Sequence, residues 1–164
     1  MMIIDGKKEA EILRQEIKKE IESLKSKDNK VPGLTVILIG DFAPSQIYVK
    51  NKEKSAKEVG INSNVIRYSK EVTEEEVLKK IEDLNNDTNV SGILVQLPLP
   101  PQINKEKIIN AVSPKKDVDG FHPINVGNLS SGYHALVPCT PLGCLYLIKK
   151  VEKNLSGKHA VIIG

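Results

Sequence analysis

Two short apolar runs, LTVILI (34–39) and GILVQL (92–97), constrain the fold of this chain most strongly. The first is apolar but for the hydroxyl of Thr35 and the second apolar but for Gln96, as in strands buried on both faces, and helix-patterned segments lie on either side of each. Ahead of the first, Ala10, Leu13, Ile17, Ile21 and Leu24 recur every three or four residues, leaving Lys18, Lys19, Glu20 and Glu22 on a wet face. Asp5 is placed to cap that helix. Between the two runs the pattern predicts a helix over 46–59 with Ser45 as its cap and Gly60 just past its end, a weaker strand over 64–68, and a helix opened by the capping box Thr73/Glu76 that carries Val77, Ile81 and Leu84. After Pro98, Pro100 and Pro101 the reading is a short helix over 104–112, a long polar loop over 114–132, a helix capped by Thr140 with Pro141 behind it, and a last strand over 159–163 ending on Gly164. Helices alternating with apolar strands give an α/β class, a mainly parallel sheet covered by helices on both faces.

Composition narrows the partners. At 164 residues the chain fits one domain of ordinary size, or one domain and the start of another. The net charge is only +3, with bases and acids interleaved, and aromatics make up 4% with no Trp. A basic stripe with stacking platforms is therefore missing, which argues against nucleic acid as a partner. The N-terminus turns charged after four residues and no window approaches a membrane span, so the reading is cytoplasmic, with neither a signal peptide nor a membrane partner. Cys139 and Cys144 are too few for a disulfide framework or a four-ligand zinc site and are expected to be reduced and buried.

Few residues suggest chemistry by themselves. Tyr48 and Lys52 lie four apart on the second helix and share a face, which suits either a core tyrosine beside a solvated lysine or a paired site. Gln96 interrupts an apolar strand near its C-terminal end, where open α/β sheets bind ligands, and equally suits a structural cap. DVDGFHP (117–123) sets two carboxylates and a histidine in one loop, but Phe121 occupies the next ligand place of a calcium loop and no Glu follows at the required spacing, so no metal is expected. The final strand ending in glycine fits either an edge strand of a single domain or the opening of a dinucleotide-binding unit.

Taken in order, GDFAPSQIYVKNKEKSAKEVG (40–60), GILVQLPLP (92–100), DVDGFHPINVG (117–127) and PCTPLGCLYLI (138–148) resemble the bifunctional methylenetetrahydrofolate dehydrogenase/methenyltetrahydrofolate cyclohydrolase family. The resemblance implies a folate-binding catalytic domain over 1–138, followed over 139–164 by the opening helix and strand of a truncated Rossmann domain for NADP or NAD, with Gly164 at the start of the phosphate-binding turn. It implies tetrahydrofolate as the substrate carrier, and a homodimer built largely through the nucleotide domain. By the same resemblance Lys52 is the catalytic lysine, Gln96 the residue that positions it, Tyr48 the surface for the aminobenzoyl group and Asp119 the pterin carboxylate. Ser45, Leu97, Pro98 and Leu99 complete the expected pocket. The family's Pro-Ala-Ser ahead of the catalytic helix stands here as Ala43-Pro44-Ser45, with Ser45 in register.

Overall fold

In a computed structural model, which describes residues 3–28 and 30–163, three parallel strands stand in the order β2-β1-β3. The strands are β1 (Gly33–Ile39), β2 (Asn62–Tyr68) and β3 (Gly92–Val95). In register, Gly33 to Ile39 pair with Asn62 to Tyr68 on one side, and Leu34 to Ile37 pair with Gly92 to Val95 on the other. The central strand thus uses both faces, as its largely apolar run requires. Val36 and Leu38 pack with Val49 of helix α2 (Ala43–Glu58) and with Leu94. Ile37 and Ile39 point the other way, into a larger core with Val77 and Ile81 of α3 (Glu74–Asn86) and Ile108 of α4 (Lys105–Ala111). The three-layer α/β arrangement is the one the periodicity predicts.

The helices nearest the two ends of the chain contribute no residue to either core. Helix α1 (Gly6–Asp28) starts where expected, Asp5 Oδ1 accepting from Lys8 N at 3.0 Å, and buries Ile21. The Thr73/Glu76 capping box on α3 is complete, and Asn104 caps α4 through Lys107 N.

Several expectations need correction. Ser45 does not cap α2: the helix begins at Ala43 behind Phe42, and the serine is buried in its first turn. Strand β3 stops at Val95, so Gln96 and Leu97 lie just beyond it, although Gln96 N still donates to Ile37 O at 2.9 Å. The 114–132 segment is not all loop. It contains α5 (Pro123–Ser130), capped by His122, whose Nδ1 accepts from Ile124 N at 3.1 Å. Helix α6 (Cys139–Val151) begins one residue before Thr140, with Pro138 as its cap, and both cysteines are free but exposed rather than buried. Residues 159–163 form no strand, and Ile162 and Ile163 are each 95% exposed. A strand needs a neighbour to hydrogen-bond, and these residues find none among those described. Gly164 lies outside the described residues.

Candidate functional site

The loop leaving β3 turns an apolar strand end into a polar cluster. Gln96 Nε2 donates to Leu97 O at 2.7 Å, which fixes the amide and leaves its oxygen to accept from Lys52 Nζ at 3.1 Å. Ser45 Oγ donates to the same Leu97 carbonyl at 3.3 Å. One backbone oxygen thus gathers the first turn of α2 and the glutamine, and the glutamine in turn aims the lysine. The Leu97–Pro98 peptide bond at this point is cis.

On the opposite wall, residues 116–119 run beside β3: Ile93 N donates to Lys116 O at 2.7 Å, and Ile93 and Asp117 form a parallel bridge. Asp117 is buried, and its Oδ2 accepts from His122 N at 2.8 Å and from Asn125 Nδ2 at 2.9 Å. That carboxylate is committed to tying the loop to α5. Asp119, two residues on, is free of such ties and lines the same cleft as Lys52. Burial pushes the Asp119 carboxyl above the usual range, the nearby Lys52 pulls it back, and Asp117 adds to the rise. The loop can lie this close to β3 because Gly92 has no side chain: a Cβ there would sit 2.5 Å from Val118 Cγ1.

The cleft has a volume of about 570 Å³, within the range of small-molecule sites. Lys52 and Asp119 stand on walls that include the apolar Leu34, Ile61, Leu94 and Val118. Cys139 and Thr140, in the first turn of α6, close one side. Burial raises the Cys139 thiol pKa, Asp119 raises it further and Lys52 opposes them, so the three side chains share one electrostatic environment. Such a constellation suits an amphipathic ring system with a hydrogen-bonding edge, held between an amine and a carboxylate.

Of the residues expected at the site, the structure brings Lys52, Gln96, Ser45 and Leu97 together by hydrogen bonds and sets Asp119 on the same cleft as the lysine. Leu97 and Asp119 also share a small cavity of about 20 Å³ beside Phe121. Tyr48, one helical turn before Lys52, is 60% exposed. Leu99 packs on the main core and Pro98 is exposed; neither lines the cleft. The sequence reading missed Ser55, Cys139 and Thr140 as cleft residues. Ser55 had a signal, its i+3 spacing from Lys52, whereas the other two reach the cleft only through tertiary packing. Among the described residues no group of His, Cys, Asp or Glu is placed to hold a metal.

Comparison with known proteins bears on the family and the fold. Residues 4–119 match the family model for the tetrahydrofolate dehydrogenase/cyclohydrolase catalytic domain. The chain is 65% identical over 164 residues to the bifunctional protein FolD of Pelagibacter ubique, covering 100% of this chain and 58% of that protein. It is 52% identical over 162 residues to FolD of Streptococcus pyogenes, covering 99% and 57%. Among solved structures, the bifunctional FolD methylenetetrahydrofolate dehydrogenase/cyclohydrolase of Campylobacter jejuni superposes with a TM-score of 0.96 at 48% identity, covering 100% of this chain and 58% of that one. The Trypanosoma brucei methylenetetrahydrofolate dehydrogenase-cyclohydrolase, solved with NADP and an inhibitor, gives a TM-score of 0.91 at 32% identity, covering 96% and 54%. The chain thus spans little more than half the length of the relatives it matches, and the stretch it does span decides its kinship: it belongs to the tetrahydrofolate dehydrogenase/cyclohydrolase family, through that family's catalytic domain.

Proposed function

We propose that this chain carries the folate half of a cytoplasmic, homodimeric enzyme of one-carbon metabolism, which oxidises methylenetetrahydrofolate with NADP or NAD and hydrolyses the methenyl product to formyltetrahydrofolate. In this reading residues 1–138 are the catalytic domain and 139–164 begin the nucleotide domain. The observation that carries it is the relay from the Leu97 carbonyl through Gln96 to Lys52, whose end residue Lys52 lines one cleft with Asp119. No glycine-rich phosphate turn after a strand is found among the described residues. No helix among them is long and apolar enough to cross a membrane.

The hydrolytic step follows from the residues present. Water adds to the cationic methenyl carbon, and the Lys52 amine, aimed by Gln96, takes a proton from it. The carbon–nitrogen bond of the ring then breaks, Lys52 returns its proton to the departing nitrogen, and the remaining hydroxyl proton leaves to solvent as the formyl group forms. Asp119 accepts two hydrogen bonds from the aminopyrimidinone edge of the pterin, a charge-assisted pairing that gains strength where water is excluded. Tyr48 offers a flat face for the aminobenzoyl group.

The direct test is loss of methenyltetrahydrofolate absorbance on adding this chain without any nicotinamide. Turnover above buffer is the expected result; calorimetric binding without turnover would instead mark a folate-binding module.

Asp119 offers a second test, because binding and stability should respond to it in opposite directions. Its folded pKa is raised by burial, so the folded state holds the proton more tightly than the unfolded chain does. The contribution of Asp119 to stability is therefore greatest below the unfolded pKa, near 4, and falls as pH rises through the folded value. At pH 7 Asp119→Asn removes a charge that burial disfavours, so the melting temperature of the free protein should rise. Folate affinity should fall about 10- to 100-fold, as for loss of a charged hydrogen bond. A melting temperature that drops together with affinity would count against this assignment.

A further inference from the structure

Helix α6 supplies Cys139 and Thr140 to the cleft, yet it buries none of its own residues. Near the cleft it is tied by Cys139 Sγ, which donates to Val118 O at 3.6 Å. At its far end, Leu147 Cδ1 packs against Gly6, and Lys150 Nζ meets the Glu9 carboxylate of α1 at 3.2 Å while lying 4.7 Å from the Tyr146 ring centroid. The ion pair is partly sheltered, with the two side chains 39% and 21% exposed. Glu9 Oε2 is itself inaccessible to solvent and accepts no hydrogen bond of good geometry among the described residues, so its close polar contact is the ammonium beside it. The Tyr146 hydroxyl is also inaccessible and makes no hydrogen bond of good geometry among the described residues, and Tyr146 together with Glu9 favours the charged form of Lys150.

We propose that Glu9, acting through Lys150, is a positioning residue for the cleft: their ion pair pins the far end of α6 to α1 and so holds the Cys139–Thr140 wall against Val118 and Asp119. The lever is long. Thirteen residues span roughly 20 Å of helix, so a tilt of about 10° at one end moves the other by roughly 3 Å. Release of the pair would let the wall swing out without unfolding the helix or disturbing the sheet. The structural claim stands independently; its consequence for substrate affinity rests on the folate reading above.

The test uses the thiol at the wall as a reporter. In a Cys144→Ser background, the rate at which iodoacetamide alkylates Cys139 is compared for the native pair, for Glu9→Gln, for Lys150→Met, and for the exchange of the pair by Glu9→Lys with Lys150→Glu. Each single change should raise the rate roughly fivefold, the population change that an ion pair of ordinary strength commands, and the exchange should bring it back. Cys144, followed in a Cys139→Ser background, should keep its rate, because the helix itself stays formed. Equal Cys139 rates in all four proteins would overturn the proposal. So would a parallel rise at Cys144, which would signal fraying of α6 instead of its displacement. In the hydrolysis assay the single variants should raise KM with kcat unchanged. Thiol rates that respond while KM does not would leave the clip standing and count against the folate reading of the cleft.

Discussion

Lys52→Met should lower methenyltetrahydrofolate hydrolysis by about 10²- to 10⁴-fold, the usual share of a positioned acid–base group. Methionine keeps the length and much of the apolar stem of lysine while removing the nitrogen, so the loss reports on the proton carrier and not on the shape of the cleft. Folding should be little affected. The partner that loses its donor, Gln96 Oε1, is only partly buried and can turn to water. Asp119 and Tyr48 are untouched, so folate affinity measured by calorimetry should stay within a few-fold of native. Lys52→Arg should not restore turnover, because a guanidinium cannot give up its proton and reach a working basic form. Full activity of Lys52→Met would remove the lysine from the chemistry and leave the relay a structural feature.

Gly120→Ala should produce the largest loss of stability. Gly120 follows Asp119 with φ at 67°, a conformation that costs an L-residue about 1–2 kcal/mol. A Cβ there would also lie 2.6 Å from Leu136 O and 2.9 Å from Pro138 N, both backbone atoms with little freedom to retreat. Forcing that contact adds roughly 1–3 kcal/mol, so the urea midpoint should fall by the equivalent of about 2–5 kcal/mol in all. The direction of relief matters as much as its cost. To make room, the 136–138 segment must move away from Asp119 and take the first turn of α6 with it, so the variant should bind folate weakly even at temperatures where it is fully folded. Native affinity in the folded variant would show that the segment yields elsewhere.

The sequence was easiest to read where local physics decides. LTVILI shows that its residues are buried on both faces, and Val36 and Leu38 do oppose Ile37 and Ile39 across the sheet. Asp5 and Thr73 act as caps through bonds spanning three residues, which residue type and spacing disclose, whereas Asn104, read as the first residue of its helix, caps it from outside. The misreadings arose where distant groups decide. Ser45 has the chemistry of a cap, but its hydroxyl is drawn instead to a carbonyl 52 residues away. Helix α5 is hidden by its Pro and Gly and by a cap made by histidine, outside the usual Ser, Thr, Asp and Asn. The run at 159–163 carries a strand pattern that no neighbouring strand among the described residues completes. At the site, the roles of Lys52, Gln96 and Asp119 came from the resemblance. Spacing alone supplied only the shared face of Tyr48 and Lys52, and nothing local announced that the start of α6 would wall the cleft.

The strand order β2-β1-β3 also governs when in folding the site comes into being. The segment β1-α2-β2 can close one layer over local connections, and it already holds Lys52. Gln96 is 44 residues further along the chain and reaches the lysine only after α3 has crossed to the other face and β3 has docked beside β1. The entropy of closing that loop falls before any contact at the site repays it. Ligand affinity is therefore acquired in the last stage of assembly, and a folate analogue added during refolding will select the finished sheet without accelerating the steps that build it.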